Sequence, residues 1–564
     1  MLRLLSQLTS NVVGCAKTKE TSSFDSGGLY YTHSTTNFSR RRTLNFSQMR
    51  AKRSQTVTQL MMNQARAAFN SGRTRNFHFR KQQLQALLCM YRENKQAMAD
   101  ALYKDLRKSR MEACLTELEF MHNDLKYILD HLSEWIKPIL PRRSWANFLD
   151  KLKIVHEPYG VVLIIGAWNY PFKLVLLPLH GAIASGNCAV IKPSEVAPTC
   201  AKLMAILLRK YLDNDCFPVY TGGVSKTTGL LKERFDYIFY TGSVKAAKVV
   251  HEAANKHLTP VTLELGGKNP VYLDDVVIDL NIATKRILWG KFINCGQHCL
   301  APDYILCSKQ MQEKFITQAK EVLRGFYGAS IKKSPDLCRI VNELQFRRIN
   351  ALLKNMNIAY GGKSDLSQRF IEPTIVVNVD PADPIMQYEI SGPLLPIVNV
   401  KSAKEAMLFI TEKKREKPLI FYIFSDDREI VRQLITTVSA GTIAVNDTVT
   451  HLYVNELPFG GVGISGMGSY HGKASFNTFT HQKSILTKSL GYIREKMTEK
   501  RYPPYAETDE NLKLVSITKW NYKVAIPTQY VSYFIVLRLV WQLHSYLFPF
   551  CLIESSVMLI FLRK

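Results

Sequence analysis

Proline and glycine are scarce in this 564-residue chain, at 23 and 29 residues, which excludes a collagenous or low-complexity fibre. Cysteine is limited to eleven, an odd number without dense spacing. That excludes a small disulfide-stapled secreted scaffold and fits reduced thiols in a cytosol-facing compartment. Acidic residues are also short, 47 against 74 basic, leaving a formal net charge of +27. This surplus favours an anionic surface such as lipid headgroups, a phosphate-bearing cofactor or nucleic acid, without choosing among them. No motif of a nucleic-acid module accompanies it, so no nucleic-acid partner is expected. Also missing are an internal repeat, the common GxGxxG fingerprint and the unbroken apolar start of a secretory signal, since Arg3, Ser6, Gln7 and Thr9 interrupt the first residues. What is present, 46% hydrophobic residues, supports sizeable cores and two to four domains.

Composition divides the chain. Residues 1–55 carry Arg3, Lys17, Lys19, Arg40, Arg41, Arg42, Arg50, Lys52 and Arg53 against only Glu20 and Asp25. This basic N-terminal extension reads as a solvated tail, a strip lying on anionic lipid, or a mitochondrial transit peptide. From about Val57 to Lys137 the apolar spacing of Leu84, Leu87, Leu88 and Tyr91, and of Leu115, Leu118, Met121 and Leu125, predicts helices, closed by Pro138 and Pro141. From Gly160 to Gly267 short apolar runs alternate with helical ones. Val161 to Gly166, Ala189 to Ile191, Tyr237 to Tyr240 and Val261 to Leu263 read as buried strands of a parallel, doubly wound sheet, which binds ligands at the carboxyl ends of its strands. The last block, residues 530–564, is apolar nearly all round. Its run from Tyr530 to Ile553 is long enough for a bilayer core, but Arg538 and Pro549 leave a tilted anchor, an interfacial helix and a buried C-terminal helix as readings.

Several residue groups carry chemistry. Asn294-Cys295-Gly296-Gln297-His298-Cys299 places a thiol near a glycine turn, where polar groups or a helix terminus can lower its pKa and make it a nucleophile. A buried structural cysteine is the bland alternative. Zinc on Cys295, His298, Cys299 and Cys307 lacks the second short-spaced ligand pair, so no metal is expected. Glu264 interrupts an apolar strand before two glycines, which suits a general base of raised pKa or a structural pair with Lys268. Asn169, directly after the strongest strand, suits an oxyanion donor or an Asx cap. Lys192 and Glu195 follow one strand; Gly242 and Ser243 follow another and open a helix, presenting N–H groups to a phosphate. Glu389 lies in Glu389-Ile390-Ser391-Gly392-Pro393, a loop in which carboxylates are usually solvated.

In order, GVVLIIGAWNYPF, AVIKPSE, RFDYIFYTGS, LTPVTLELGGKNP, WGKFINCGQHCLAPDYILC, ISGPLLPIV, LPFGGVGISGMGSYHGKASFNTFTHQK and RYPPY resemble the aldehyde dehydrogenase superfamily, and more closely its class 3, fatty aldehyde branch. The likeness runs from about Val57 to Tyr505, and the tail is similar to that branch's membrane anchor. The resemblance implies an α/β fold in three parts: a parallel doubly wound NAD-binding domain (56–264), a catalytic domain (265–455) and a β-hairpin oligomerisation element (141–157) pairing with the C-terminal arm (456–505) of a partner subunit. A linker (506–529) and the anchoring tail (530–564) follow. It further implies Cys299 as nucleophile, Asn169 and the Cys299 backbone N–H as oxyanion donors, and Glu264 as the base that activates water. Trp168, Gly242 and Ser243 would meet the pyrophosphate, Lys192 and Glu195 the adenine ribose, and Glu389 the nicotinamide ribose.

The implied activity is oxidation of medium- to long-chain aliphatic aldehydes with NAD, NADP remaining open, by a homodimer on the cytosolic face of a membrane. The endoplasmic reticulum is the first expectation and the mitochondrion the alternative. Three positions depart from the family: His298 for Thr, Ser391 for Phe and Ala247 for Gly. They motivate a rival reading, a catalytically weakened, membrane-bound scaffold or binding protein.

Overall fold

The computed structural model describes residues 56–143, 147, 150–412 and 416–504; the expected N-terminal extension, the linker and the apolar tail lie outside the described residues. Among the described residues no helix is long and apolar enough to cross a membrane.

The chain enters through helices, as the spacing predicts. Thr56 starts Val57–Asn70 with a capping box, its hydroxyl accepting from the Gln59 N–H while the Gln59 side chain accepts from the Thr56 N–H. Phe77–Glu93 buries Leu84, Leu87 and Tyr91, capped by Asn76. Glu119–Trp135 buries Met121 and Leu125, but Leu115 is 41% exposed, against the sequence expectation. The cause is the π-helical turn Cys114–Leu118, whose extra residue rotates the face on one side relative to the other.

Strand β1 (Lys151–Pro158) leads into β2 (Val161–Ile165), β3 (Cys188–Lys192), β4 (Tyr237–Gly242) and β5 (Val261–Leu265). The last four form a parallel sheet in the spatial order β5-β4-β2-β3. Helices cover both faces, so β2 and β3 are buried at every position, which is why they read as unbroken apolar runs. The helix Lys173–Ser185 is buried along its whole length and ends at Gly186, whose φ of 92° turns the chain into β3.

After β5, Gly266 and Gly267 carry the chain into a second sheet through β6 (Pro270–Leu273), β7 (Tyr304–Cys307) and β8 (Asn357–Tyr360). β9 (Ser364–Asp365) and β10 (Phe370–Ile371) form a small separate ladder, and β11 (Thr374–Val377), β12 (Leu394–Asn399), β13 (Ile420–Phe424) and β14 (Thr442–Val445) complete the second sheet. Its order is β14-β13-β6-β7-β12-β11-β8, parallel except at β8. The chain then returns to the first sheet. β15 (Gly466–Met467) lies antiparallel beside β5, and Gly472–Thr478 packs on Lys173–Ser185, where a Cβ at Gly181 would stand 2.8 Å from the Ser475 carbonyl oxygen.

Of the segment expected as a hairpin over 141–157, residues 144–146 and 148–149 lie outside the described residues. Ile139 bridges Ile154, and β1 pairs antiparallel with β16 (Thr480–Thr487) of the same chain, Lys151 opposite Thr487 through Pro158 opposite Thr480. Within the one chain the arm thus lies beside β1.

Candidate active site

Cys299 follows a backbone that few sequences tolerate. Asn294, Cys295 and Gly296 have φ of 52°, 56° and 72°, three left-handed residues in a row. For the first two this strain is of order 1–3 kcal/mol each and persists only if the surroundings fix it. They do. The Asn294 N–H donates to Glu112 Oε1 (2.7 Å), and its side-chain amide donates to the carbonyls of Asn169 (2.8 Å) and Gln297 (3.0 Å). Gln297 donates to the carbonyls of Asn294 and Arg339 and accepts from the Val341 N–H. Gly296 must be glycine, since a Cβ there would lie 2.2 Å from the Gly392 carbonyl oxygen. Asn269 holds the other side, donating to the carbonyls of Cys299 (2.6 Å) and Ala301 (3.1 Å) and accepting from the Ile420 N–H.

The Cys299 side chain is half-buried and faces a small cavity lined by Phe120, Tyr170, Lys173, Leu174, His298, Leu300, Leu452, Phe459, Tyr470 and His471. Its own backbone N–H faces the sulfur. Burial pushes the thiol up to about 12, reinforced by Glu389 and Glu264 and opposed by Lys173. The expectation of surroundings that lower this pKa is therefore corrected: the net environment disfavours the thiolate. His298 gives no ionic help either, because burial beside Lys173, Lys108 and His451 holds its ring well below the usual histidine range, hence neutral.

Behind the cavity stands a buried ion pair, Lys108 Nζ to Glu117 Oε1 at 2.8 Å, both side chains fully excluded from solvent. The second Glu117 oxygen accepts from the N–H groups of Phe172 and Lys173, fixing the turn after Asn169. Removing either partner would strand the other charge, at a cost of about 3–5 kcal/mol.

Asn169 directs its amide to the Gln297 carbonyl (3.1 Å), not into an Asx cap, and one N–H remains for another acceptor. Glu264 lies on β5, 3% exposed, and neither carboxylate oxygen has a hydrogen-bond partner among the described residues. Burial holds its pKa well above the carboxylate range. The alternative pairing with Lys268 is absent: that ammonium binds Asp303 (2.6 Å) and the carbonyls of Ile385 and Tyr388. The residues singled out for a dinucleotide gather at the carboxyl ends of β2, β3 and β4. Trp168 follows β2, and Lys192 donates to the Pro193 carbonyl (2.8 Å) and Glu195 (3.0 Å) after β3. Gly242 ends β4, and the exposed Ser243 after it caps the helix Val244–Asn255. The Thr241 hydroxyl is buried there without a hydrogen-bond partner among the described residues, which fits a polar ligand at this edge. Glu389 is not solvated as its loop suggested. It abuts Gly266, where a Cβ would fall 1.7 Å from its Oε2, and burial beside Asp303 pushes its carboxyl up to about 7 against Arg348, Lys291 and Lys268. Among the described residues no group of His, Cys, Asp and Glu could hold a metal ion.

An aldehyde dehydrogenase family model matches residues 38–485. The chain belongs to the aldehyde dehydrogenase family. Relatives include aldehyde dehydrogenase family 3 member A2 of Pongo abelii, 48% identical over 450 residues, covering 80% of this chain and 92% of that protein. The dimeric NADP-preferring aldehyde dehydrogenase of Canis lupus familiaris is 48% identical, covering 79% and 97%. The substrate-bound state of Staphylococcus aureus AldH superposes with a TM-score of 0.79 at 41% identity, covering 82% of this chain and all of that one. Within this aldehyde dehydrogenase, Glu112, Asn269, Asn294, Gln297, Lys108 and Lys173 are site residues for which the sequence reading assigned no role. Only Asn294 and Gln297 carried a signal, as polar neighbours of Gly296 in a segment otherwise judged for its thiols.

Proposed function

We propose that this aldehyde dehydrogenase oxidises medium- to long-chain aliphatic aldehydes to carboxylic acids with NAD(P). The observation that carries the reading is Cys299 at an otherwise mainly apolar cavity, electrostatically coupled to a Glu264 carboxyl that has no partner of its own. The Cys299 sulfur adds to the carbonyl carbon, and the new oxyanion takes hydrogen bonds from the Asn169 amide and the Cys299 backbone N–H. NAD(P), when bound, would supply the hydride acceptor for that carbon. Trp168, Gly242 and Ser243 would hold the pyrophosphate, Lys192 and Glu195 one ribose and Glu389 the other. Glu264 then takes a proton from the water that attacks the thioester, releasing the acid and restoring the thiol. Glu195 beside the ribose 2′ position would repel a 2′-phosphate, which favours NAD.

With purified protein and unbranched aldehydes of increasing length, kcat/KM measured by NADH absorbance should rise with chain length and exceed that with NADP. Turnover confined to the shortest aldehydes would refute the substrate class, and absence of NAD binding in a titration would favour the scaffold instead.

The apolar run Tyr530–Ile553 and the basic surplus support residence on the cytosolic face of the endoplasmic reticulum, where such aldehydes partition. The dog relative's name supports a homodimer. The full chain should sediment with membranes, and a chain ending at residue 529 should be soluble and run as two subunits. A truncated chain that stays on membranes, or runs as one subunit, would overturn the respective point.

A further inference from the structure

The loop that carries Glu389 is exposed on its approach yet ends in a tightly packed place. The four-residue helix Pro384–Gln387 leads into it, and Tyr388 is 83% exposed. Glu389 nevertheless lies against the exit of β5, where a Cβ at Gly266 would fall 1.7 Å from its Oε2. The loop beyond it meets the Cys299 segment, since a Cβ at Gly296 would fall 2.2 Å from the Gly392 carbonyl oxygen. A carboxylate on such a loop keeps its place only if bonds from other segments fix the backbone beneath it.

Three charged side chains supply those bonds. Lys268 Nζ donates to the carbonyls of Ile385 (2.8 Å) and Tyr388 (3.2 Å) and to Asp303 Oδ2 (2.6 Å). The other Asp303 oxygen accepts from the Ile390 N–H (3.2 Å), and Arg348 donates to the Ile390 carbonyl (2.7 Å). The residues on both sides of Glu389 are therefore held. Lys268 stands four residues after Glu264, and Asp303 four residues after Cys299. Their ion pair thus joins the strand end bearing one carboxyl, the segment bearing the thiol and the loop bearing the other carboxyl. With side-chain exposures of 16% and 3%, the pair is largely shielded from solvent and salt.

We propose that Lys268 is a positioning residue: paired with Asp303, it holds the backbone on which Glu389 stands and so sets where that carboxylate meets the cofactor. Neutralising Asp303 is not its sole task. Lys291 Nζ, fully excluded from solvent, lies 3.7 Å from Asp303 Oδ1 and leaves that carboxylate a counter-ion when Lys268 is gone. What Lys268→Met removes is the hold on the Ile385 and Tyr388 carbonyls. The consequence for the cofactor rests on the reading of Glu389 as a ribose contact, but the hold on the loop does not.

The test compares variants of the full-length enzyme. In Lys268→Met, NADH affinity in a fluorescence titration should fall about tenfold, the size expected from losing a charged hydrogen-bond donor. AMP affinity by calorimetry should stay unchanged, because the residues expected to hold the adenine half follow β3 and β4 and take no bond from Lys268. Glu389→Gln should weaken NADH alike and the double variant no further, since a residue acting through another adds nothing once that other is altered. Amide hydrogen exchange over residues 385–392 should quicken in Lys268→Met. A loss of NADH affinity in only one of the two single variants, losses that add, an equal loss for AMP, or unmoved exchange over 385–392 would each overturn the proposal. If exchange quickens and neither variant changes NADH affinity, the ribose reading of Glu389 fails and the hold on the loop stands.

Discussion

Cys299→Ala abolishes NADH formation from aldehyde, with kcat/KM lower by about four to six powers of ten and cofactor binding retained. The size of the loss follows from what else is available. Cys295, four residues away, is 1% exposed and does not line the cavity that Cys299 faces, so it cannot take over. Water bound beside Asn169 would meet the oxyanion donors but could form no thioester, and a carbonyl hydrate is the best it could offer. Cofactor binding survives because the residues expected to hold it lie after β2, β3 and β4, and alanine removes one sulfur without disturbing the Gln297, Asn294 and Asn269 bonds that shape the loop. NADH absorbance with a fatty aldehyde measures the first effect and fluorescence titration with NADH the second. A variant retaining more than about one-thousandth of the rate would move the nucleophile elsewhere. Cys295→Ser is the matched control and should stay near wild-type activity.

What could be read from the sequence was whatever the chain encodes locally. β2 and β3 are buried on both faces, so their apolar runs needed no partner to be recognised. Cys299, Glu264 and Asn169 each sit within a short motif whose order along the chain is informative. What could not be read depends on contacts between distant segments. Glu112 stabilises the strained Asn294 from 182 residues away, and a glutamate on an amphipathic helix carries no mark of that task. Glu389 looked solvated because its loop is polar; its burial comes from Asp303, Arg348 and Gly266, which belong to three other segments. The thiol's upward shift has the same origin, since motif residues do not reveal the dielectric around them. The β1–β16 ladder joins segments more than 300 residues apart, and alternating residues on an exposed two-stranded ribbon fit a partner's arm as well as the chain's own.

Glu264→Gln separates the two halves of the reaction. The expected result is a burst of NADH close to one equivalent per active site, then a steady state slower by about 10² to 10⁴, with the acyl-enzyme visible by intact mass spectrometry. Glutamine is a fair probe here because neither Glu264 oxygen has a hydrogen-bond partner among the described residues, so the substitution removes a proton acceptor and breaks no bond of the fold. The pH dependence adds a second readout. Burial raises the Glu264 pKa, so the base form is scarce at low pH and grows as pH rises; wild-type turnover should climb through that raised value. In Glu264→Gln this limb should disappear, while any slope set by the Cys299 thiol remains in the burst rate. If the burst vanished along with the steady state, Glu264 would be needed before hydride leaves the carbon, taking the proton from the sulfur itself. The carboxyl would then act first on Cys299, and its coupling to that thiol would describe proton transfer between the two rather than their separate duties.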